Sequence, residues 1–131
     1  MNRTAILFAL GLLSVAPAAA QPALPAPSGP ACFPVTEFRG WKAPDTKTIL
    51  IRVGFDRVYR LDLANTCSLL AMPNVHLITK TRGPDLVCSA IDWDLSVSES
   101  PPGNIPEPCI VKTMTLLTPE ETAAIPPKFR P

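Results

Sequence analysis

The chain has 131 residues, 17 of them proline, with four cysteines and a formal net charge of +1. So balanced a charge excludes a nucleic-acid binder, which needs a basic surface to displace counterions, and it excludes a strong steering field. The length supports one domain with a modest core.

In chain order, the first twenty residues read as a leader. Arg3 gives a positive start, AILFALGLLSVA is an apolar run of leader length, and Ala18-Ala19-Ala20 fits a small-residue cleavage site before Gln21. The run is too short for a transmembrane span, which takes roughly 20 apolar residues. Arg3 is the leader's one charge, so residues 21–131 hold eleven Lys/Arg and eleven Asp/Glu. QPALPAPSGPA, residues 21–31, carries four prolines and no charge and reads as an extended tether. A single domain is expected over 32–126, with 127–131 as a tail.

CFPVTEF enters the domain as a short strand, and KAPDTK reads as a turn cluster. TILIRVGF alternates, with Ile49, Ile51, Val53 and Phe55 on one face. RVYRLDL follows through a hairpin at residues 54–57, with Tyr59, Leu61 and Leu63 inward and Val58, Arg60 and Asp62 outward. Asn65 or Thr66 caps a helical turn in CSLLAM, which Pro73 stops. VHLITK is a strand and TRGPD a turn. IDWDLSVS alternates with Ile91, Trp93, Leu95 and Val97 inward. ESPPGNIPEP is a loop, and CIVKTMTLL is a last strand of ambiguous facing. TPEE is a capping box: Thr118 at the N-cap, Pro119 at N1 and Glu121 at N3 open a helix that Pro126-Pro127 stops and that docks through Ala124 and Ile125. The pattern predicts a mostly β fold: a small antiparallel sheet or partly closed barrel of five to six strands, with one short helical turn and a short C-terminal helix. An open sheet with the helix on one face is the alternative.

Cys32, Cys67, Cys88 and Cys109 form an even set behind an export leader, which predicts two disulfides. Their gaps of 35, 21 and 21 residues and the single histidine, His76, do not fit a zinc site. Three pairings are open, and neighbour pairing (Cys32–Cys67 and Cys88–Cys109) is the simplest closure.

Candidate chemistry is sparse. Two registers of the hairpin keep its faces matched. One sets Arg52 opposite Asp62, an ion pair worth roughly 0.2–1 kcal/mol. The other sets Arg52 opposite Arg60 and makes an anion site, because two guanidinium groups side by side need an anion between them. Trp41, beside Arg39 and Lys42, either caps the core or stands as a contact residue. Asp92 and Asp94 at i, i+2 share a strand face at about 7 Å, a separation compatible with carboxylate-pair hydrolysis or a divalent cation. No third ligand or glycine-rich turn accompanies them, so a solvated face is the plainer reading. His76 has Ser89 and Ser96 as conceivable partners, but no nucleophile elbow is present. No P-loop or dinucleotide pattern calls for a cofactor.

FRGWKAPDTKTILIRV, YRLDL with Cys67 four residues on, CSAIDWDLSV and CIVKTMTLLTPEE, in that order and spacing, resemble an uncharacterised family of small exported bacterial proteins. The resemblance runs from Cys32 to about Ile125. That family carries no established activity, so the resemblance implies export and assigns no catalytic residue. Members with the positions of Cys67 and Cys109 but not those of Cys32 and Cys88 imply the pairing Cys67–Cys109 and Cys32–Cys88. The expectation is a non-catalytic binding or accessory module in the periplasm or outside the cell. It would meet an envelope protein or a small ligand, and an inhibitor-like version would contact its protein partner through the projecting loop ESPPGNIPEP. A hydrolase using Asp92 and Asp94, and an anion binder at Arg52 and Arg60, are the alternatives.

Overall fold

The computed structural model describes residues 32–99 and 105–131. The segments expected to be leader and tether, residues 1–31, and residues 100–104 of the proline-rich stretch lie outside the described residues.

The fold is mostly β and antiparallel throughout. Its strands, among the described residues, are β1 (Phe33–Pro34), β2 (Phe38–Asp45), β3 (Thr48–Val53), β4 (Arg57–Leu63), β5 (Val75–Thr81), β6 (Leu86–Val87), β7 (Trp93–Glu99), β8 (Glu107–Cys109) and β9 (Val111–Leu116). One helix follows, α1 (Pro119–Ala124). Four strands form the larger sheet in the order β2-β3-β4-β9; β5-β7-β8 form a second, and β1-β6 a two-residue ladder.

Nine strands replace the five to six expected, for local reasons. The KAPD segment continues β2 instead of turning. Pro44 is tolerated there because β2 is an edge strand, where a missing N–H breaks no second ladder. The reversal tightens to Thr46-Lys47, and the Asp45 carboxylate accepts the Lys47 N–H at 2.7 Å. CFPVTEF gives only two strand residues before a 3-10 turn at Val35–Glu37. The last strand splits at Ile110: β8 pairs with β7 and β9 with β4, so the chain crosses there from one sheet to the other. No barrel closes, because β2 and β5 remain separate edges.

The main core fills the space between the sheets. Ile49, Ile51, Val53, Tyr59, Leu61 and Leu63 from the larger sheet meet Trp93, Leu95 and Val97 from β7. Phe33 stands between them, its ring centroid 5.1 Å from Tyr59 and 5.8 Å from Trp93, edge-on to the indole. Burial raises the pKa of the Tyr59 phenol.

β3 is buried on both faces. Its outer side carries Leu50, which packs with Val58 and Ile125 and with the half-buried Leu117 and Phe129. That cluster explains where the C-terminal helix docks. The capping box forms as predicted: the Thr118 hydroxyl accepts the Glu121 N–H at 3.2 Å, and the Glu121 carboxylate accepts the Thr118 N–H at 2.8 Å. Ile125 enters the cluster while Ala124 stays exposed. Residues 127–131 are not a loose tail. Pro127–Phe129 makes a 3-10 turn, and the Arg130 guanidinium donates to the Ala123 and Ile125 carbonyls at 2.7 and 2.9 Å, closing the helix end.

The disulfides are Cys32–Cys88 and Cys67–Cys109. This is the pairing the family resemblance implies, not the neighbour pairing. The first ties β1 to the chain after β6. The second joins the segment after β4 to the end of β8, at the crossing between sheets.

Candidate functional site

The predicted ligand set does not converge. The β3–β4 connection is the three-residue turn Gly54-Phe55-Asp56, with Gly54 in the left-handed region at φ 64°. It sets Arg52 opposite Val58 and Arg60 opposite Leu50, so neither expected register occurs. Phe55, expected inward, is 99% exposed at the tip of this turn. Arg60 donates Nε–H to Asp62 Oδ1 at 2.8 Å, and Asp62 Oδ2 accepts the Thr113 hydroxyl at 3.0 Å. Arg60 is thus held along its own strand, and Arg52, itself exposed, lies diagonal to it on the outer face. Trp41 lies opposite Ile51 and packs against the main core, on the other side of the same sheet.

The carboxylate pair also separates. Ile91 and Asp92 are not strand residues: Ala90–Asp92 forms a 3-10 turn, which turns Ile91 outward to 75% exposure. Asp92 Oδ2 accepts the backbone N–H of Cys88 at 2.8 Å, that of Ser89 at 2.7 Å and the Ser89 hydroxyl at 3.1 Å. The Cys88 and Ser89 N–H bonds hold its carboxyl below the usual carboxylate range. Asp94 is ion-paired with Arg82, whose guanidinium likewise lowers it. Two carboxyls both pushed toward the charged form do not divide into an acid and a base. His76 faces Ser98 in the ladder, not Ser89 or Ser96, and the Ser89 hydroxyl is bound to Asp92.

The helical turn Ser68–Ala71 is capped by neither Asn65 nor Thr66. The Glu107 carboxylate takes that role from across the fold, accepting the Ser68 and Leu69 N–H groups at 3.0 and 2.7 Å. Asn65 instead accepts the Ile110 N–H at 2.8 Å and donates to the Pro108 carbonyl at 2.9 Å. Both side chains brace the corner where the chain changes sheets, beside Cys67–Cys109. Of ESPPGNIPEP, Glu99 closes β7 and Glu107 and Pro108 belong to β8, so these residues are strand and not loop.

The structure gathers other residues. β8 covers β7 only from Leu95 to Val97, so β7 has no strand neighbour on that side at Trp93 and Asp94. A cleft of about 390 Å³ opens there, floored by Trp93 and Leu95 and reached by Lys80, Arg82 and Asp94. Ile91 and Ile110 line it and are 75% and 59% exposed. Trp93 is itself buried, and among the described residues its Nε1–H has no acceptor. The sequence pattern assigned Ile91 to the interior and gave Ile110 no facing. The available signal was the Ser89-x-x-Asp92 spacing, which caps a turn rather than starting a strand.

Among the described residues no helix is long and apolar enough to cross a membrane, and no group of three or more His, Cys, Asp or Glu residues is arranged around a metal position. Comparison of the chain with protein-family models, curated proteins and solved structures finds no match.

Proposed function

We propose that this is an exported, non-catalytic binding module that works through its surface in the cell envelope. One observation carries the reading. Arg60, Asp62, Asp92 and Asp94 are each held in local bonds, whereas two isoleucines stand exposed at a cleft. Carboxylates doing acid–base work face a shared space; Asp92 caps a turn and Asp94 holds Arg82. Two formed disulfides suit a small domain in an oxidising compartment, and the leader-like opening agrees with export.

Reporter hydrolysis of glycoside, ester and phosphoester substrates tests the reading, with the Asp92→Asn, Asp94→Asn double variant run beside the parent. No turnover by either is expected. Turnover by the parent that the double variant loses would overturn it and restore the carboxylate pair.

A further inference from the structure

We propose that the cleft between β7 and the β8–β9 corner is an anchor pocket for a large apolar side chain that sits next to an acidic residue on a partner protein. The inference rests on the surface-binding reading above and names what that surface takes.

The geometry favours a side chain over an added strand. A strand laid between β7 and β9 would need about 4.8 Å of spacing on each side. The 3-10 turn Ala90–Asp92 packs against β9, beside the space such a strand would have to enter. A side chain needs only the cleft itself, whose 390 Å³ is at the small end of ligand pockets. Ile91 and Ile110 give it apolar walls, and covering them removes exposed apolar surface from water, at about 25 cal/mol per Å².

Charge at the rim selects the neighbour. Lys80 faces Asp94 in the β5–β7 ladder, and Arg82 is paired with Asp94, so two cations share one carboxylate. A second carboxylate, brought by the partner, completes the balance.

The test is selection of a display library of random linear peptides on the exported chain. Enriched peptides are expected to hold a large apolar residue within two positions of Asp or Glu. Their affinity is expected to fall at least tenfold for Ile110→Asp and for Lys80→Glu, and to be unchanged for Phe55→Ser, whose side chain is exposed elsewhere. Thermal melts check that each variant folds, as exposed substitutions should. Peptides that bind Ile110→Asp as tightly as the parent would overturn the pocket while leaving a surface-binding module in place. An empty selection also overturns the pocket, and only hydrolytic turnover overturns the broader reading. A dimer in sedimentation that Ile110→Asp dissociates would place a second copy in the cleft and likewise overturn the partner assignment.

Discussion

Asp92 illustrates how a carboxylate can look catalytic in sequence and be structural in space. Three donors from Cys88 and Ser89 converge on one of its oxygens and depress its pKa. A depressed folded-state pKa contributes stability that is fully present above the unfolded-state pKa and is lost as pH falls through the folded value. Asp92→Asn is therefore expected to melt a few degrees below the parent near neutral pH, and the gap to close below the ordinary carboxylate range. Melts run from neutral to acid pH check this; a gap that persists at the acid end would point to a packing effect instead. Trp93 offers the opposite case. Its buried N–H has no acceptor among the described residues, so Trp93→Phe removes an unmatched donor along with some packing. The expected loss is below about 2 kcal/mol, against about 3–5 kcal/mol for Trp93→Ala, measured by urea unfolding.

At the scale of elements, the C-terminal helix is a dependent piece. Six residues cannot hold a helix alone, so α1 persists because Ile125 seals Leu50 and Val58. Ile125→Ala should cost about 2–4 kcal/mol and raise amide exchange across residues 118–130 more than in β3. The disulfides differ by position, not by loop. Separations of 56 and 42 residues give each about 4 kcal/mol in the chain-entropy model, too close to rank them. Burial does rank them. Cys67 and Cys109 are 0% and 1% exposed, whereas Cys32 and Cys88 are only half-buried. Mild reductant should open Cys32–Cys88 first, with Cys67–Cys109 resisting until the fold unravels; alkylation followed by peptide mapping reads the order. Elements with strong local chemistry were also the legible ones. The Thr118 capping box formed and the inward faces of TILIRV and RVYRLDL lie in the core, because short-range sterics and hydrogen bonds decide them, whereas Leu50 and Val58 on the outward face are buried under Ile125. The extension of β2 through Pro44 was hidden, since tolerance of proline depends on an edge position that only the complete sheet defines.

Across the whole molecule, the mostly β class and the docked helix were readable, while the junction of the two sheets was not. CIVKTMTLL looks like one strand. What breaks it is the distant bracing of Ile110 and Pro108 by Asn65 and of Ser68 and Leu69 by Glu107, contacts that span some forty residues. For the same reason Arg52 and Arg60 invited a directly opposed anion site that a three-residue turn then set on a diagonal, and the cleft over Trp93 had no local signature.

The crossing at Ile110 also sets an order of events for a chain that emerges amino end first. β4 and Cys67 appear early, but their mates, β9 and Cys109, come from the final stretch. Until that stretch arrives, one flank of β4 is raw and one thiol is widowed, so the architecture cannot be completed piecemeal as the chain is made. A version stopped after residue 106 should remain open to protease and give up Cys67 to a maleimide label, whereas the whole chain should do neither.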